Sequence, residues 1–241
     1  MAISVDTVYQ RVLALANKEQ RGYLTPQEYN LLANQAQLLI FEQYCYDIGK
    51  AYPEHGNSGE YSDKLDMLHA KISPFEKYKV AMSAVSGNEL TLPTTPAVHK
   101  LGTVFYASGA YDVEVERVDK NDLHYMERTA LAAPTDDRPV YVRKTGSIVK
   151  LFPASPTVSY STSNVTCNYI AKPTQAIWGY TVVNSQALYD ATTSVDFQLS
   201  ATEETELIYK ILELAGITLN KPGLTQAAAV EDQEIMVKKQ Y

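Results

Sequence analysis

The order in which helical and extended patterns follow one another is the feature that most constrains the fold of this chain. In residues 1 to about 80, apolar side chains recur at steps of three and four, as in amphipathic helices. From 88 to 199 the apolar period shortens to two and turns become frequent, which indicates short strands. From 200 to 241 the pattern is helical again. Because the strands are grouped rather than alternating with helices, the sequence predicts an α+β fold with N-terminal helices, a central small antiparallel β domain and C-terminal helices.

These changes of pattern predict three regions. We expect an N-terminal helical region at 1–80, a β domain at 88–199, and a C-terminal helical region with a docking arm at 200–241. The last helix, from about 227 to 239, has a thinly apolar face and would be marginal alone. We expect it to dock on another surface or to be mobile, as chain termini often are.

Two helix starts carry the signature of a capping box, in which a hydroxyl and a glutamate three residues later satisfy each other's backbone amides. The first runs from Thr25 to Glu28, with a proline at the first helical position. The second runs from Ser200 to Glu203. Between them, two short runs at 139–143 and 148–152, joined by a loop containing Gly146, predict a β-hairpin.

Charge and hydropathy exclude two broad classes of protein. With 21 Lys and Arg against 28 Asp and Glu, the formal net charge is −7, which excludes a globally basic nucleic-acid binder. No apolar run reaches the roughly 18 residues that a membrane-spanning helix needs. The two cysteines, Cys45 and Cys167, lie far apart in the sequence, which fits a reducing compartment.

No motif in the sequence predicts chemistry. No two of the four histidines have the spacing of metal ligands, and phosphate-binding and nucleophile motifs are missing from the sequence. The pair Asp136 and Asp137 and the pair Asp119 and Asp122 could be imagined as general acid and base. The first pair lies between two prolines, where turn chemistry alone explains it. We therefore expect no catalytic residue, no cofactor and no metal.

Tyrosine dominates the aromatic residues, with 18 Tyr against 5 Phe and 1 Trp. A ring with a polar tip suits surfaces that are half buried or shared with a partner. Two readings stay open, a tyrosine-rich β domain with half-exposed strands and a protein interface, and both can hold. The candidate interface residues are Tyr9, Tyr29, Tyr141, Trp178, Tyr209 and Met236.

The basic residues are scattered, and the nearest approach to a patch is on or beside the predicted hairpin. Its members are Arg138, Arg143, Lys144 and Lys150. Four cations that point the same way could touch a phosphate backbone, so these are the candidate DNA-channel residues. The alternative is a solvated charged surface.

Several segments resemble virion structural proteins of tailed bacteriophages. They are 5–12, 24–30, Ala36-Gln37, Pro134-Thr135, 138–141, Gly146 with Ile148, Phe152-Pro153, 169–173, 195–200 and 206–212. No single segment is specific to these proteins, because none contains a catalytic or binding motif, but together the segments are spread over most of the chain. The combination is similar to head-to-tail connectors, the adaptor rings below the portal of short-tailed phages.

This resemblance implies a homo-oligomeric ring of about twelve copies that binds the portal and neighbouring neck or tail proteins. It also implies a genome channel without sequence-specific DNA binding, and a location in the virion neck after synthesis in the host cytoplasm. An acidic subunit suits such a channel, because a basic lining would hold the DNA. Two alternatives stay open: a tail or minor capsid protein that does not bind the portal, and a virion-associated hydrolase.

Overall fold

The computed structural model describes residues 2–16, 24–51, 59–108, 111–154 and 160–218, together with the single positions 230 and 233. The chain divides into two compact units. One, here called the terminal unit, combines Met1–Pro74 with Pro173–Tyr241. The other, the inserted unit, is the continuous segment Phe75–Lys172. The range 88–199 expected for the β domain therefore includes parts of both units, and the last helix expected at 227–239 lies largely outside the described residues.

The helices and strands of the described residues are, in chain order, β1 (Ala2–Ile3), α1 (Val5–Ala16), α2 (Pro26–Ala51), α3 (Gly59–Ile72), β2 (Glu76–Ala81), β3 (Ser83–Ser86), β4 (Glu89–Thr91), β5 (Val98–Ser108), β6 (Tyr111–Arg117), α4 (Lys120–Glu127), β7 (Val140–Arg143), β8 (Ile148–Phe152), β9 (Val165–Ala171), β10 (Tyr180–Val183), β11 (Gln186–Tyr189), β12 (Phe197–Ser200) and α5 (Glu204–Thr218). Single 3-10 turns precede β2, at Ser73–Phe75, and α5, at Ala201–Glu203. Within this part of the chain, none of the helices is both long and apolar enough to span a membrane.

The capping box at Thr25 forms as predicted. The Glu28 amide donates to Thr25 Oγ1 at 3.3 Å, and the Thr25 amide donates to Glu28 Oε2 at 3.0 Å. The Thr25 hydroxyl also donates to Glu28 Oε2, at 2.7 Å. The hydrogen bond from the Thr25 hydroxyl, and to a smaller extent the one from the Thr25 amide, hold the pKa of Glu28 below its usual range. The start of α2 is thereby satisfied by residues within one turn.

The terminal unit is built around α5, which packs against both α1 and α2. The short strand β1 pairs with β12 in antiparallel fashion, Ala2 facing Ser200 and Ile3 facing Phe197. Residues of β1 and α1 therefore share one core with residues 197–218, which are far from them in the sequence. Its fully buried members include Val5, Val8, Val12, Tyr29, Ala36, Phe41, Phe197, Leu207 and Ile211.

The inserted unit is an eight-stranded sheet in the order β2-β9-β5-β6-β7-β8-β4-β3. Its neighbours run antiparallel, apart from β6 and β7, which are parallel and pair Glu116 with Val140. One face of this sheet carries the main apolar core of the unit, and α4 packs on the other face through Leu123, Val140 and Val142. The predicted hairpin is β7–β8, with Arg143 facing Val149 across the pair, so that prediction is confirmed.

The predicted fold class is wrong. The structure contains a large mixed sheet rather than a small antiparallel β domain, with twelve strands and five helices among the described residues, and α4 lies inside the strand-rich region. The physical cause is that β2 and β3 are largely exposed edge strands of the sheet, so they lack the alternation of apolar and polar residues from which strands were predicted. The parallel pair arises because α4 lies on the crossover between β6 and β7, and pairing between distant segments is not encoded in local periodicity.

The second predicted capping box is also wrong. Ser200 precedes a 3-10 turn and makes no side-chain capping hydrogen bond. Glu203, which would complete the box, is turned into the interior instead, where its carboxylate lies 3.1 Å from the ammonium of Lys71. A tertiary ion pair has replaced the predicted local hydrogen bonds of the capping box.

Candidate interaction surface

Two asparagines one turn apart on α2 hold the segment that leads into the β10–β11 hairpin. Asn34 Nδ2 donates to the Ala176 carbonyl at 2.9 Å, and the Ala176 amide donates to Asn34 Oδ1 at 2.8 Å. Asn30 repeats this pattern with Trp178, at 3.3 Å and 2.8 Å. The four residues from Asn30 to Asn34 advance about 6 Å along the helix, and two extended residues advance about 6.6 Å, so the spacings match. Side-chain amides thus occupy the place of a neighbouring strand, and we call this arrangement the amide ladder.

Gln37 extends the amide ladder by one more step. Its Nε2 donates to the Thr174 carbonyl at 2.8 Å, and its Oε1 accepts from the Gln198 amide at 3.2 Å. The side chain is 2% exposed, so its polar atoms must be satisfied inside the protein. Segment 174–178 is therefore fixed to α2 along its length.

We expect Asn34→Ala to lower the free energy of unfolding by about 1–3 kcal/mol, because it leaves the amide and carbonyl of Ala176 without their partners. Leu31→Ala on the same helix is the matched control. Leu31 is 74% exposed, so its truncation should change stability by less than about 0.5 kcal/mol. Urea unfolding followed by circular dichroism measures both. Equal stability of the two variants would show that the amide ladder contributes nothing.

An aromatic cluster lies at the base of the hairpin. The Trp178 ring is 4.2 Å from that of Tyr9, 5.8 Å from that of Tyr180 and 5.9 Å from that of Tyr189, between centroids. Its Nε1 donates to Asp6 Oδ1 at 2.9 Å. Tyr29 packs edge-on against Tyr9, and burial raises the pKa of its hydroxyl. Side chains from α1, α2 and both hairpin strands therefore pack together and hold the base of the hairpin in place.

The hairpin itself, residues 180–189, is called here the hairpin arm. Its two turn residues, Asn184 and Ser185, have φ angles of 52° and 64°, the geometry of a type I′ turn that matches the twist of the strands. Val182 is 68% exposed and Leu188 is 50% exposed. The arm contains no charged residue. Among the described residues, its strands pair only with each other, so both outer edges are open.

An isolated two-stranded hairpin is marginal in water. Stacking of Tyr180 and Tyr189 on Trp178 stabilises the base of the arm, but it does not cover the apolar side chains near the turn. Open edges combined with exposed apolar residues are the features that favour docking on another protein surface. The hairpin arm is therefore the first candidate interaction surface.

Four of the six predicted interface residues are buried within the units of the single chain. Tyr9, Tyr29 and Trp178 are buried together inside the terminal unit, and Tyr141 is buried in the inserted unit. Tyr209 is half-buried on α5, and Met236 lies outside the described residues. The exposed aromatic residues are different ones, namely Tyr46, Tyr78, Tyr111, Tyr125 and Tyr189. Residue type alone could not separate the two sets, because burial depends on what packs against each ring.

The four predicted DNA-channel residues do not form one patch. Arg143 shares the core-side face of β7 with Tyr141, whereas Lys150 lies opposite Val142 on the other face, over the Phe152 ring. Lys144 is paired with Glu89 at 2.7 Å. Arg138 lines a groove beside β6, and the other three residues are not part of that lining.

That groove is the second candidate surface. It has a volume of about 400 Å³ and is lined by Glu114, Glu116 and Arg117 of β6 and by Arg138, Pro139 and Tyr141 at the start of β7. Burial raises the pKa of Tyr141, although the nearby guanidinium groups of Arg117 and Arg143 oppose this rise. The groove thus presents carboxylates and guanidinium groups together, on a strand that is only partly paired.

The four acidic residues considered as catalytic candidates lie in a turn and at the start of a helix. Asp136 and Asp137 form a turn closed by hydrogen bonds between the backbones of Thr135 and Arg138, at 3.3 Å and 3.0 Å. Asp119 precedes the first residue of α4, and Asp122 lies in its first turn. Within the described ranges, no group of three or more His, Cys, Asp or Glu side chains is arranged to hold a metal ion.

Comparison with known proteins adds no relative. No known family model matches the sequence, and no curated protein is significantly similar to it. The features of the chain that bear on its function are therefore its own surfaces, above all the hairpin arm and the groove beside β6.

Proposed function

We propose that this chain is a structural, non-catalytic subunit of a tailed-phage virion, and that copies of it form the head-to-tail connector ring below the portal. In this role it contacts copies of itself, the portal protein and adjacent neck or tail proteins. The genome passes through the ring without sequence-specific binding. The chain is made in the host cytoplasm and acts in the virion neck. The resemblance of its segments to virion structural proteins supports this proposal.

The hairpin arm is the observation that carries the proposal. The arm carries no charged residue although the chain has a formal net charge of −7, and its strand edges are open among the residues that the structure describes. A ring subunit needs a surface that fits a different surface on the next copy, so that contacts repeat until the ring closes. Burying a Val or Leu side chain contributes about 1.5–3 kcal/mol, so the arm offers a contact of useful strength in every subunit.

The double substitution Val182→Asp with Leu188→Asp is expected to abolish ring assembly. Each carboxylate would have to be buried without a partner at the contact, which costs far more than the lost apolar area. Because both side chains are at least half exposed, the subunit itself should keep its fold. Light scattering after size-exclusion chromatography, in the presence of the portal, measures the assembly, and circular dichroism checks the fold.

Leu131→Asp is the matched control, because Leu131 is 92% exposed but lies in a loop of the inserted unit. It should assemble with the portal as the unmodified protein does. If the double variant also assembles normally, the hairpin arm has no part in the ring. Two results together would contradict the connector proposal as a whole. In solution, the chain would stay monomeric and fail to bind the portal. In a cryo-EM reconstruction of the virion neck, no ring of this chain would be found below the portal.

A further inference from the structure

Strand β6 has one edge that is open over most of its length. On one side it pairs with β5 from Tyr111 to Val115. On the other side β7 pairs with it only at Glu116 and Arg117. Within the ranges that the structure describes, residues 111–115 therefore have no strand on the β7 side, although β6 lies in the middle of the sheet.

The backbone groups at this edge point outward. The Glu116 amide donates to the Pro139 carbonyl at 3.2 Å, and the Val118 amide donates to the Tyr141 carbonyl at 3.0 Å, both toward β7. Amide directions alternate along a strand, so the amides of Glu114 and Asp112 point toward the same edge. On β5, the Ala107 amide opposite Asp112 donates to Asn164 at 2.8 Å, away from β6, which agrees with this alternation. Two donors are thus in place for an added strand.

The groove described above adjoins one end of this edge, because its lining on β6 begins at Glu114 and its other wall includes Arg138 and Pro139, just before β7. It offers room beside a strand whose hydrogen-bonding groups face it. An extended peptide can add to such an edge, taking affinity from main-chain hydrogen bonds and specificity from alternate side chains.

The charges at the edge indicate which peptide would fit. Asp112, Glu114 and Glu116 occupy alternate positions of β6 and share one face. Asp112 is already paired with Lys79, but Glu114 and Glu116 are exposed and make no ion pair with another described residue. An added strand would place a side chain directly opposite Glu114, with Glu116 as the diagonal neighbour. Lys or Arg at that position is favoured.

The opposite face of the same strand selects apolar side chains. Val115 is buried and Val113 is half-buried, both on the core side of β6. Residues of an added strand that point to this side would lie next to these valines. The two faces together call for a segment in which basic and apolar residues alternate.

We propose that β6 accepts, by strand addition, an extended segment of a partner protein in which Lys or Arg alternates with apolar residues. The segment lies along the open edge of β6 from Tyr111 to Glu114, with one end at the groove, and it is hydrogen-bonded to the amides of Asp112 and Glu114. This interaction goes beyond the ring assembly proposed above and does not depend on it, because the hairpin arm belongs to the other unit.

A labelled peptide of alternating Lys and Val, about six residues long as strands usually are, is the probe. Fluorescence anisotropy with the full chain should show saturable binding. A peptide in which Glu replaces every Lys should bind at least about tenfold more weakly, since like charges on paired strands repel. A Lys and Val peptide with methylated backbone nitrogens keeps its charge but loses its donors, and it should also bind about tenfold more weakly.

The variant Glu114→Lys with Glu116→Lys should weaken binding of the Lys and Val peptide about tenfold and improve binding of the Glu and Val peptide. Glu127→Lys, at an exposed position on α4, is the matched control and should bind as the unmodified chain does. Hydrogen exchange should slow at the amides of Asp112 and Glu114 when the peptide binds. Three results would overturn the proposal: no binding, equal binding of the methylated peptide, or protection confined to other strands.

Discussion

Trp178→Ala is expected to lower the free energy of unfolding by about 3–5 kcal/mol, the usual cost of emptying the site of a large buried aromatic residue. Trp178 is 2% exposed and contacts the rings of Tyr9, Tyr180 and Tyr189. Its removal also leaves Asp6 without the indole donor. Because this is the only tryptophan, unfolding in urea must be followed by circular dichroism rather than by indole fluorescence.

Trp178→Phe separates the two contributions. This variant keeps an aromatic ring in the cluster but loses the hydrogen bond to Asp6. We therefore expect a smaller decrease in the free energy of unfolding, of about 1–2 kcal/mol. Ile177→Ala is the control at the neighbouring position, where the side chain is 40% exposed. If Trp178→Ala and Ile177→Ala destabilise the protein equally, the aromatic cluster does not hold the base of the hairpin arm.

Lys71→Met is expected to lower the free energy of unfolding by about 3 kcal/mol, because it leaves a buried carboxylate without its cation. Glu203 is 1% exposed, and its Oε1 lies 3.1 Å from Lys71 Nζ. Tyr44 borders the same site, with its ring centroid 5.6 Å from that ammonium. Burial, and then the carboxylates of Glu203 and Glu206, raise the pKa of the Tyr44 hydroxyl, so this residue stays protonated and adds no further negative charge to the site.

Two further variants test this explanation. The double substitution Lys71→Met with Glu203→Leu removes both charges and should recover most of the lost stability. Arg11→Ala breaks the neighbouring ion pair with Glu204, whose atoms are 2.9 Å apart and whose arginine side chain is 55% exposed. That change should cost less than about 1 kcal/mol, because solvent screens an exposed pair. A double variant as unstable as the single one would show that the site depends on packing rather than on charge.

Local signals explain which parts of the structure could be predicted. The capping box at Thr25 and the β7–β8 hairpin depend on residues within a few positions of one another, and the structure confirms both predictions. The box at Ser200 has the same local pattern but competes with a partner from α3, and Lys71 displaces it. A tertiary partner of that kind has no signature in the neighbouring sequence.

The amide ladder was missed for a related reason. Asn30, Asn34 and Gln37 are spaced by four and three residues, so they lie on one face of α2. Polar residues on a helix usually face water, and nothing nearby indicates that segment 174–178 lies against them. A stripe of amides, which can donate and accept at once, is the one signal that could have indicated a strand-like partner.

The sheet class and the groove were beyond sequence reasoning because both depend on pairing. Apolar and acidic residues alternate along β6, which is a local strand pattern, but no local signal indicates that β7 pairs with it only from Glu116 onward. Likewise, the basic residues near the hairpin are close in sequence, yet Arg143 and Lys150 emerge on opposite faces. Proximity along a strand does not imply a shared surface.

The terminal unit contains both ends of the chain, and this has a consequence during synthesis. The inserted unit is continuous and can fold on the ribosome as soon as residue 172 has emerged. The apolar face of α1 has to wait for α5, and β1 for β12, which are translated almost 200 residues later. A nascent chain, or one that terminates before α5, therefore cannot complete the core from which the hairpin arm projects.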